Sequence, residues 1–246
     1  MKWNRIIIIG ATSGIGAALA REAHSYGMIV GATGRRTEQL KSLKNELKQN
    51  ICIRTMDVTS SNDARAGLLE LAEEMGGVDI VVLNAGVSDI GTDDSGQAEQ
   101  RVIDVNVSGF IQLFRASLDY FERQGHGQIV GISSVASLLG YGGAAAYNAS
   151  KAFISNYMQG YRQKARASGA EIFITDIRPG YVYSEMTDGQ KGMFWVANRE
   201  TAAKQILNSI LKRKSRAYVT SRWNLIAWLI KGVPDKIIDR LPPNMV

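Results

Sequence analysis

The sequence predicts an α/β fold: a doubly wound sheet of about seven mostly parallel strands with helices on both faces. Three observations predict it. Short apolar runs alternate with segments of helical periodicity along most of the chain. The early runs are apolar nearly throughout, as strands are when helices cover both faces of a parallel sheet. A glycine-punctuated turn, Gly10-Ala-Thr-Ser-Gly14-Ile-Gly16, joins the first run to the first helical segment.

The elements follow in order. Residues 5–9 read as a strand and 15–26 as a helix. Residues 28–33 form the second strand. Residues 38–49 are helical, because Leu40, Leu43 and Leu47 share one face. A third strand covers 51–56, a helix 63–75, and a fourth strand 79–83. Helix resumes near Gln97 and again through Phe121. Strands at 128–132, 171–177 and 217–220 alternate with helices at 147–168 and 200–211. No Pro-rich or Gly/Ser-rich linker and no repeat divides the 246 residues, so a single domain over 1–246 is expected.

Composition narrows the function classes. The single cysteine, Cys52, lies in an apolar run and reads as core; one cysteine makes no internal disulfide. A net charge of +6 suits a polyanionic ligand, such as a phosphorylated cofactor, a membrane surface or nucleic acid. No long block of like charge favours nucleic acid; the densest cluster is Lys212, Arg213, Lys214 and Arg216. Lys2 and Arg5 precede an apolar stretch that resembles a signal peptide, but Gly10, Gly14 and Gly16 interrupt it. Leu225 to Ile230 is far short of the ~20 residues that span a bilayer. A cytoplasmic protein is expected. His24, in the first helix, and His126, in a turn, are isolated, and no spacing suggests a metal site.

The glycine turn has a physical use. Gly10, Gly14 and Gly16 let the backbone approach a pyrophosphate, and a helix N-terminus at Ile15 supplies free N–H groups and positive potential. Thr12 and Ser13 add hydroxyls. This is the context of a Rossmann-type dinucleotide site. At the end of the second strand an acidic residue would hold a ribose 2′-OH. The chain instead reads Gly34-Arg35-Arg36. Arg35, with Arg36 beside it, suits a 2′-phosphate through charge-assisted bonds, so NADP(H) is favoured over NAD(H).

Tyr147 and Lys151 lie one helical turn apart and share a face. A free tyrosine has a pKa of ~10 and is a poor base near neutrality. A neighbouring ammonium favours the phenolate; a shift of ~2–3 units corresponds to roughly 3–4 kcal/mol. Ser134 closes the fifth strand, upstream of Tyr147.

The glycine turn, Ser134 and the Tyr147–Lys151 pair together resemble the short-chain dehydrogenase/reductase family, with its TGxxxGxG and YxxxK motifs. Ile9 stands where the family has the leading Thr. The resemblance implies more. Asp57 and Val58 would contact adenine. Asn84, Ala85 and Gly86 match the family's NAG, with Leu83 where many relatives have another Asn. Of Ser133 and Ser134, the family pattern selects Ser134. Asn106 matches the catalytic asparagine that holds a relay water to Lys151, and Lys151 also binds the nicotinamide ribose. Pro179, Gly180, Val182 and Ser184 match the PGxVxT segment that meets the carboxamide, with Ser184 in place of Thr. Ser134 and Tyr147 would hydrogen-bond the substrate oxygen, Tyr147 exchanging its proton.

The family places a mobile substrate-covering loop at 185–199. Met186, Met193, Phe194 and Trp195 there suggest an apolar or aromatic substrate. The C-terminal extension, 221–246, contains the apolar segment WNLIAWLI from Trp223. Packing over the cleft or a neighbouring subunit is favoured there over a membrane interface. The expected activity is interconversion of a small-molecule carbonyl and alcohol by a homodimer or homotetramer. The alternatives are a non-catalytic NADP(H) sensor, to which Ser134, Tyr147 and Lys151 would be useless, and a basic membrane-binding or nucleic-acid-binding protein, which leaves the ordered tetrad unexplained. An epimerase or dehydratase of the extended family has a different turn spacing.

Overall fold

Four consecutive isoleucines, Ile6 to Ile9, have at most 1% of their surface exposed. Successive strand side chains point to opposite faces, so this run must be covered twice. Ile6 and Ile8 enter one hydrophobic core; Ile7 and Ile9 enter a second. The computed structural model describes residues 3–88, 96–185, 187, 193–230 and 233–240.

The strands are β1 (Arg5–Ile9), β2 (Ile29–Gly34), β3 (Ile51–Thr55), β4 (Ile80–Leu83), β5 (His126–Ile132), β6 (Glu171–Pro179) and β7 (Arg216–Val219). They form one sheet in the order β3-β2-β1-β4-β5-β6-β7. Every pairing is parallel. The helices are α1 (Gly14–Ser25), α2 (Thr37–Leu47), α3 (Ser61–Glu74), α4 (Gln97–Val102), α5 (Phe110–Gln124), α6 (Ala145–Ser168), α7 (Arg199–Leu211), α8 (Trp223–Ile230) and α9 (Asp235–Ile238). Residues of α1, α2 and α7 build the core with Ile6 and Ile8; residues of α3, α5 and α6 build the core with Ile7 and Ile9.

The fold is therefore a Rossmann-type doubly wound sheet. Its strand order reverses at β1, which lies between β2 and β4. A crevice opens outside the carboxyl ends of strands at such a reversal, which places the ligand site before any side chain is considered.

Most predicted elements lie within two residues of their expected bounds. One expectation is corrected. His126 is the first residue of β5 rather than part of a turn, and its Nε2 lies 3.8 Å from Asp79 Oδ1. The predicted helix near Gln97 passes into a π-helical segment, Ile103–Gly109, before α5. Cys52 is half-buried at the margin of the core, and burial raises its thiol pKa.

Candidate active site

A cleft of about 430 Å³ lies across the carboxyl ends of the central strands. Its floor is the glycine turn. Gly10 has φ of +87°, and a Cβ there would come within 2.8 Å of Ala85 Cα, so only glycine lets the turn pass under β4. Gly14 and Ile15 line the cleft with Thr12 and Ser13, so the N-terminus of α1 opens on it. Gly16 does not line it. A Cβ at Gly16 would meet Gly10 O at 2.1 Å and Asn84 Nδ2 at 2.6 Å, so this glycine serves the close crossing of α1 over the turn. Asn84 Nδ2 in turn donates to Gly10 O at 2.7 Å, tying β4 to the turn.

One end of the cleft carries the two arginines. Arg36 Nε and Nη2 donate to Thr12 Oγ1 at 3.2 and 3.1 Å, and Nη2 donates to Ser13 Oγ at 2.5 Å. Its Nη1 donates to Glu185 at 2.7 Å, which is the largest cause lowering that carboxyl's pKa. Arg35 is half-exposed, its Nη1 3.9 Å from Asp57 Oδ2. Asp57 also accepts from the Thr59 amide and hydroxyl, both at 2.9 Å. Val58 lines the same end. Gly34 is required sterically: a Cβ there would lie 2.5 Å from Thr12 Cγ2. An acid at this position collides with the turn as it stands.

The other end holds Ser134, Tyr147 and Lys151, with Pro179, Gly180, Val182 and Ser184 on the adjoining wall. Tyr147 and Lys151 come from the first two turns of α6. The Lys151 Nζ lies 5.5 Å from the centroid of the Tyr147 ring and donates to Ile132 O at 3.0 Å. Only 4% of Lys151 is exposed. Burial lowers its ammonium to about 8, against the opposing pull of Asp176. Ser134 Oγ accepts from the Ala136 amide at 3.1 Å and donates to Pro179 O at 3.4 Å, so the strand ends of β5 and β6 fix it.

Asn106 lies behind this wall rather than on it. It is fully buried in the π-helical segment. Its Oδ1 accepts from Val87 N at 2.9 Å, and its Nδ2 donates to Val87 O at 2.9 Å and to Ser150 Oγ at 3.0 Å. Ser150 Oγ donates to Tyr147 O at 2.7 Å. Asn106 thereby joins the chain after Asn84-Ala85-Gly86 to the turn of α6 that carries Tyr147. A Cβ at Gly86 would lie 3.3 Å from Lys151 Nζ and 3.4 Å from Asn106 Oδ1, so these two groups flank Gly86 closely.

Sequence reasoning passed over Ser150 and Asp176, set Ser133 aside in favour of Ser134, and took Glu185 only as the start of the covering loop. Ser150 lies inside the YxxxK motif and was legible there as a hydroxyl beside the pair. Asp176 is a carboxylate in an apolar strand that lies fully buried; its Oδ1 accepts from Ser133 Oγ and its Oδ2 from Arg178 Nε at 2.8 Å.

An aromatic cluster adjoins the wall formed by Pro179, Gly180, Val182 and Ser184. Trp223 packs against Gly180, where a Cβ would lie 1.9 Å from its Nε1. Phe194, Trp195 and Tyr181 rings lie 5.1, 5.9 and 6.0 Å from the Trp223 ring. Met186 lies outside the described residues. In α8, Trp223 and Ala227 are buried, while Leu225, Trp228 and Leu229 are exposed. Among the described residues no helix is long and apolar enough to cross a membrane.

A sheet reversal, a glycine turn at a helix N-terminus and a buried lysine beside a tyrosine define a dinucleotide-binding oxidoreductase site. Comparison with known proteins makes the class specific. The chain belongs to the short-chain dehydrogenase family, whose model matches residues 4–193. It is 33% identical over 245 residues to an uncharacterized oxidoreductase of Mycobacterium tuberculosis, covering 96% of both chains. It is 34% identical over 181 residues to the NADP-dependent 3-hydroxy acid dehydrogenase YdfG of Escherichia coli K12, covering 72% of each. Among solved structures, the closed form of serine dehydrogenase complexed with NADP+ matches with a TM-score of 0.74 and 28% identity, over 84% of this chain and 88% of that one. The protein is an oxidoreductase of this family, acting on alcohol and carbonyl groups.

Proposed function

We propose that the protein interconverts a carbonyl and an alcohol with NADP(H), using Tyr147 as general acid and base. The observation that carries this reading is the buried Lys151 ammonium beside the Tyr147 ring, at the far end of a cleft whose near end is cationic. The cleft suits a dinucleotide: Gly10, Gly14 and the hydroxyls of Thr12 and Ser13 line it, and the α1 N-terminus opens on it.

The glycine turn with Thr12 and Ser13 would hold the pyrophosphate, Asp57 and Val58 the adenine, and Asn84, Ala85 and Gly86 the adjoining ribose side. Pro179, Gly180, Val182 and Ser184 would meet the nicotinamide. Arg35 and Arg36 would take the 2′-phosphate, Arg36 exchanging Glu185 for it. Two relatives support that choice, being described as NADP-dependent and as complexed with NADP+. Bound there, the nicotinamide supplies hydride to a carbonyl carbon or accepts it from an alcohol.

The chain's own residues handle the oxygen. Ser134 and Tyr147 hydrogen-bond it, and Tyr147 gives it a proton in reduction and takes one in oxidation. Lys151 favours the phenolate by its charge and binds the nicotinamide ribose. Asn106 positions the water that relays protons to Lys151. Tyr181, Phe194 and Trp195 favour an apolar or aromatic substrate, with 185–199 as its covering loop. The working form is a cytoplasmic homodimer or homotetramer.

A panel of carbonyls and alcohols with NADPH or NADP+, run beside Tyr147→Phe, tests the reading. Loss of a general acid should slow turnover by roughly 10²–10⁴-fold while NADPH affinity is kept. Full turnover by the variant, on a substrate the wild type uses, defeats the mechanism. Equal catalytic efficiency with NADPH and NADH defeats the cofactor choice.

A further inference from the structure

A second cleft, of about 520 Å³, lies between α6 and the start of β7. Gln159, Arg162, Gln163 and Arg166 form one wall and Ser215 and Arg216 the other. None of these six lines the dinucleotide cleft. The four α6 residues are spaced three and four apart and so share one helix face. Among the described residues no carboxylate lines the cleft.

The acid that Arg162 and Arg216 feel, Asp176, is already occupied. Asp176 is fully buried behind the cleft and accepts from Ser133 and Arg178. Arg216 Nε reaches only 3.7 Å from its Oδ2, beyond hydrogen-bond range. Arg216 Nε and Arg162 Nη1 are both shielded from solvent and have no hydrogen-bond partner among the described residues. Arg162 feels burial first, then the attraction of Asp176, then repulsion from Arg216, Arg178 and Arg166. Arg162, Arg178 and Arg216 thus share one carboxylate, and Arg166 adds a further positive charge beside Arg162. The cleft is lined by Arg162, Arg166 and Arg216, and an oxyanion accepting from the donors they turn toward it would offset their mutual repulsion.

We infer that this cleft binds a phosphate group, free or carried on a small phosphomonoester. A tetrahedral dianion matches the excess charge and offers acceptors in several directions. A single carboxylate matches only part of it. Gln159, Gln163 and Ser215 supply neutral donors around the rim.

Isothermal titration at fixed ionic strength tests the assignment, with inorganic phosphate and glycerol 3-phosphate as probes. The dinucleotide cleft also holds arginines, so the comparison uses Arg35→Gln as well as Arg162→Gln/Arg166→Gln. Phosphate binding should persist in the first variant and weaken by about tenfold or more in the second. This pattern is independent of which nicotinamide dinucleotide the enzyme prefers. Gln163→Glu, which seats a carboxylate in the cleft from an exposed position, should abolish binding while leaving the fold intact; it decides the matter if the double variant does not fold. Tighter binding of one probe identifies the source as free phosphate or phosphomonoester. Absence of phosphate binding by the wild type, or affinity unchanged from wild type in the double arginine variant and in Gln163→Glu, overturns the assignment. So does a dimer that dissociates in the double variant with no phosphate heat in the wild type, which gives the cleft to a carboxylate of a second copy.

Discussion

Lys151→Met separates what the buried lysine does for catalysis from what it does to stability. Burial holds the folded-state ammonium to about 8, against 10.5 for the free side chain. At roughly 1.4 kcal/mol per pKa unit, keeping that charge inside disfavours the folded state by about 3 kcal/mol at neutral pH. Methionine keeps most of the stem and removes the charge. It also removes the 3.0 Å bond to Ile132 O, worth about 1 kcal/mol. The variant should therefore be more stable than the wild type by about 1–2 kcal/mol at pH 7, while turnover collapses. The pH dependence carries the sign. Between 8 and 10.5 the unfolded lysine binds a proton that the folded one has released, so wild-type stability rises with pH in that window. The variant has no such group, and its advantage should shrink across the same window. Urea denaturation of both proteins from pH 6.5 to 10.5 measures the difference directly. A variant less stable than wild type at pH 7, with a gap constant in pH, refutes the claim that Lys151 is held charged at a folding cost.

Three further outcomes are expected. Gly34→Asp alone should damage cofactor binding, because its Cβ would lie 2.5 Å from Thr12 Cγ2; Gly34→Asp with Thr12→Ser, which removes that methyl and keeps the hydroxyl for Arg36, should shift preference toward NADH in steady-state kinetics. Gly180→Ala should expel Trp223, lower stability by roughly 1–3 kcal/mol and red-shift the tryptophan emission; thermal melts of this variant with Trp223→Leu should recover most of the loss. Asn106→Ala removes three hydrogen bonds, two of them to Val87, and should lower stability by roughly 2–4 kcal/mol in urea titrations. If Asn106 also relays protons, the pH profile of turnover moves as well.

The architecture was legible because its signals are local. Apolar runs such as Ile6 to Ile9 mark strands that must be covered twice, and the leucines of α2 fall at helical spacing. The glycine turn was legible for the same reason, since strand, glycine and helix follow one another along the chain. The π-helical turn around Asn106 has no periodic signal of its own. Its contacts are long-range: a Cβ at Gly109 would lie 2.8 Å from Val58 O, and the Asn106 amide satisfies both backbone groups of Val87. His126 was misplaced because a glycine beside it reads as a turn, whereas pairing with Glu171 of β6 draws it into the sheet.

Sequence alone determined the fold class, the glycine turn between β1 and α1, and the pairing of Tyr147 with Lys151 on one helix face, because each is written in residues a few positions apart. Only the tertiary structure decided what surrounds them. It set the Lys151 ammonium against Ile132 O and Gly86, placed Arg36 over Thr12 and Ser13 with Glu185 at its far side, and gathered Arg162, Arg178 and Arg216 around Asp176. The physical reason is distance along the chain. Burial and charge depend on which segments the sheet brings together, and Arg36 meets Glu185 across 149 residues that no local pattern spans.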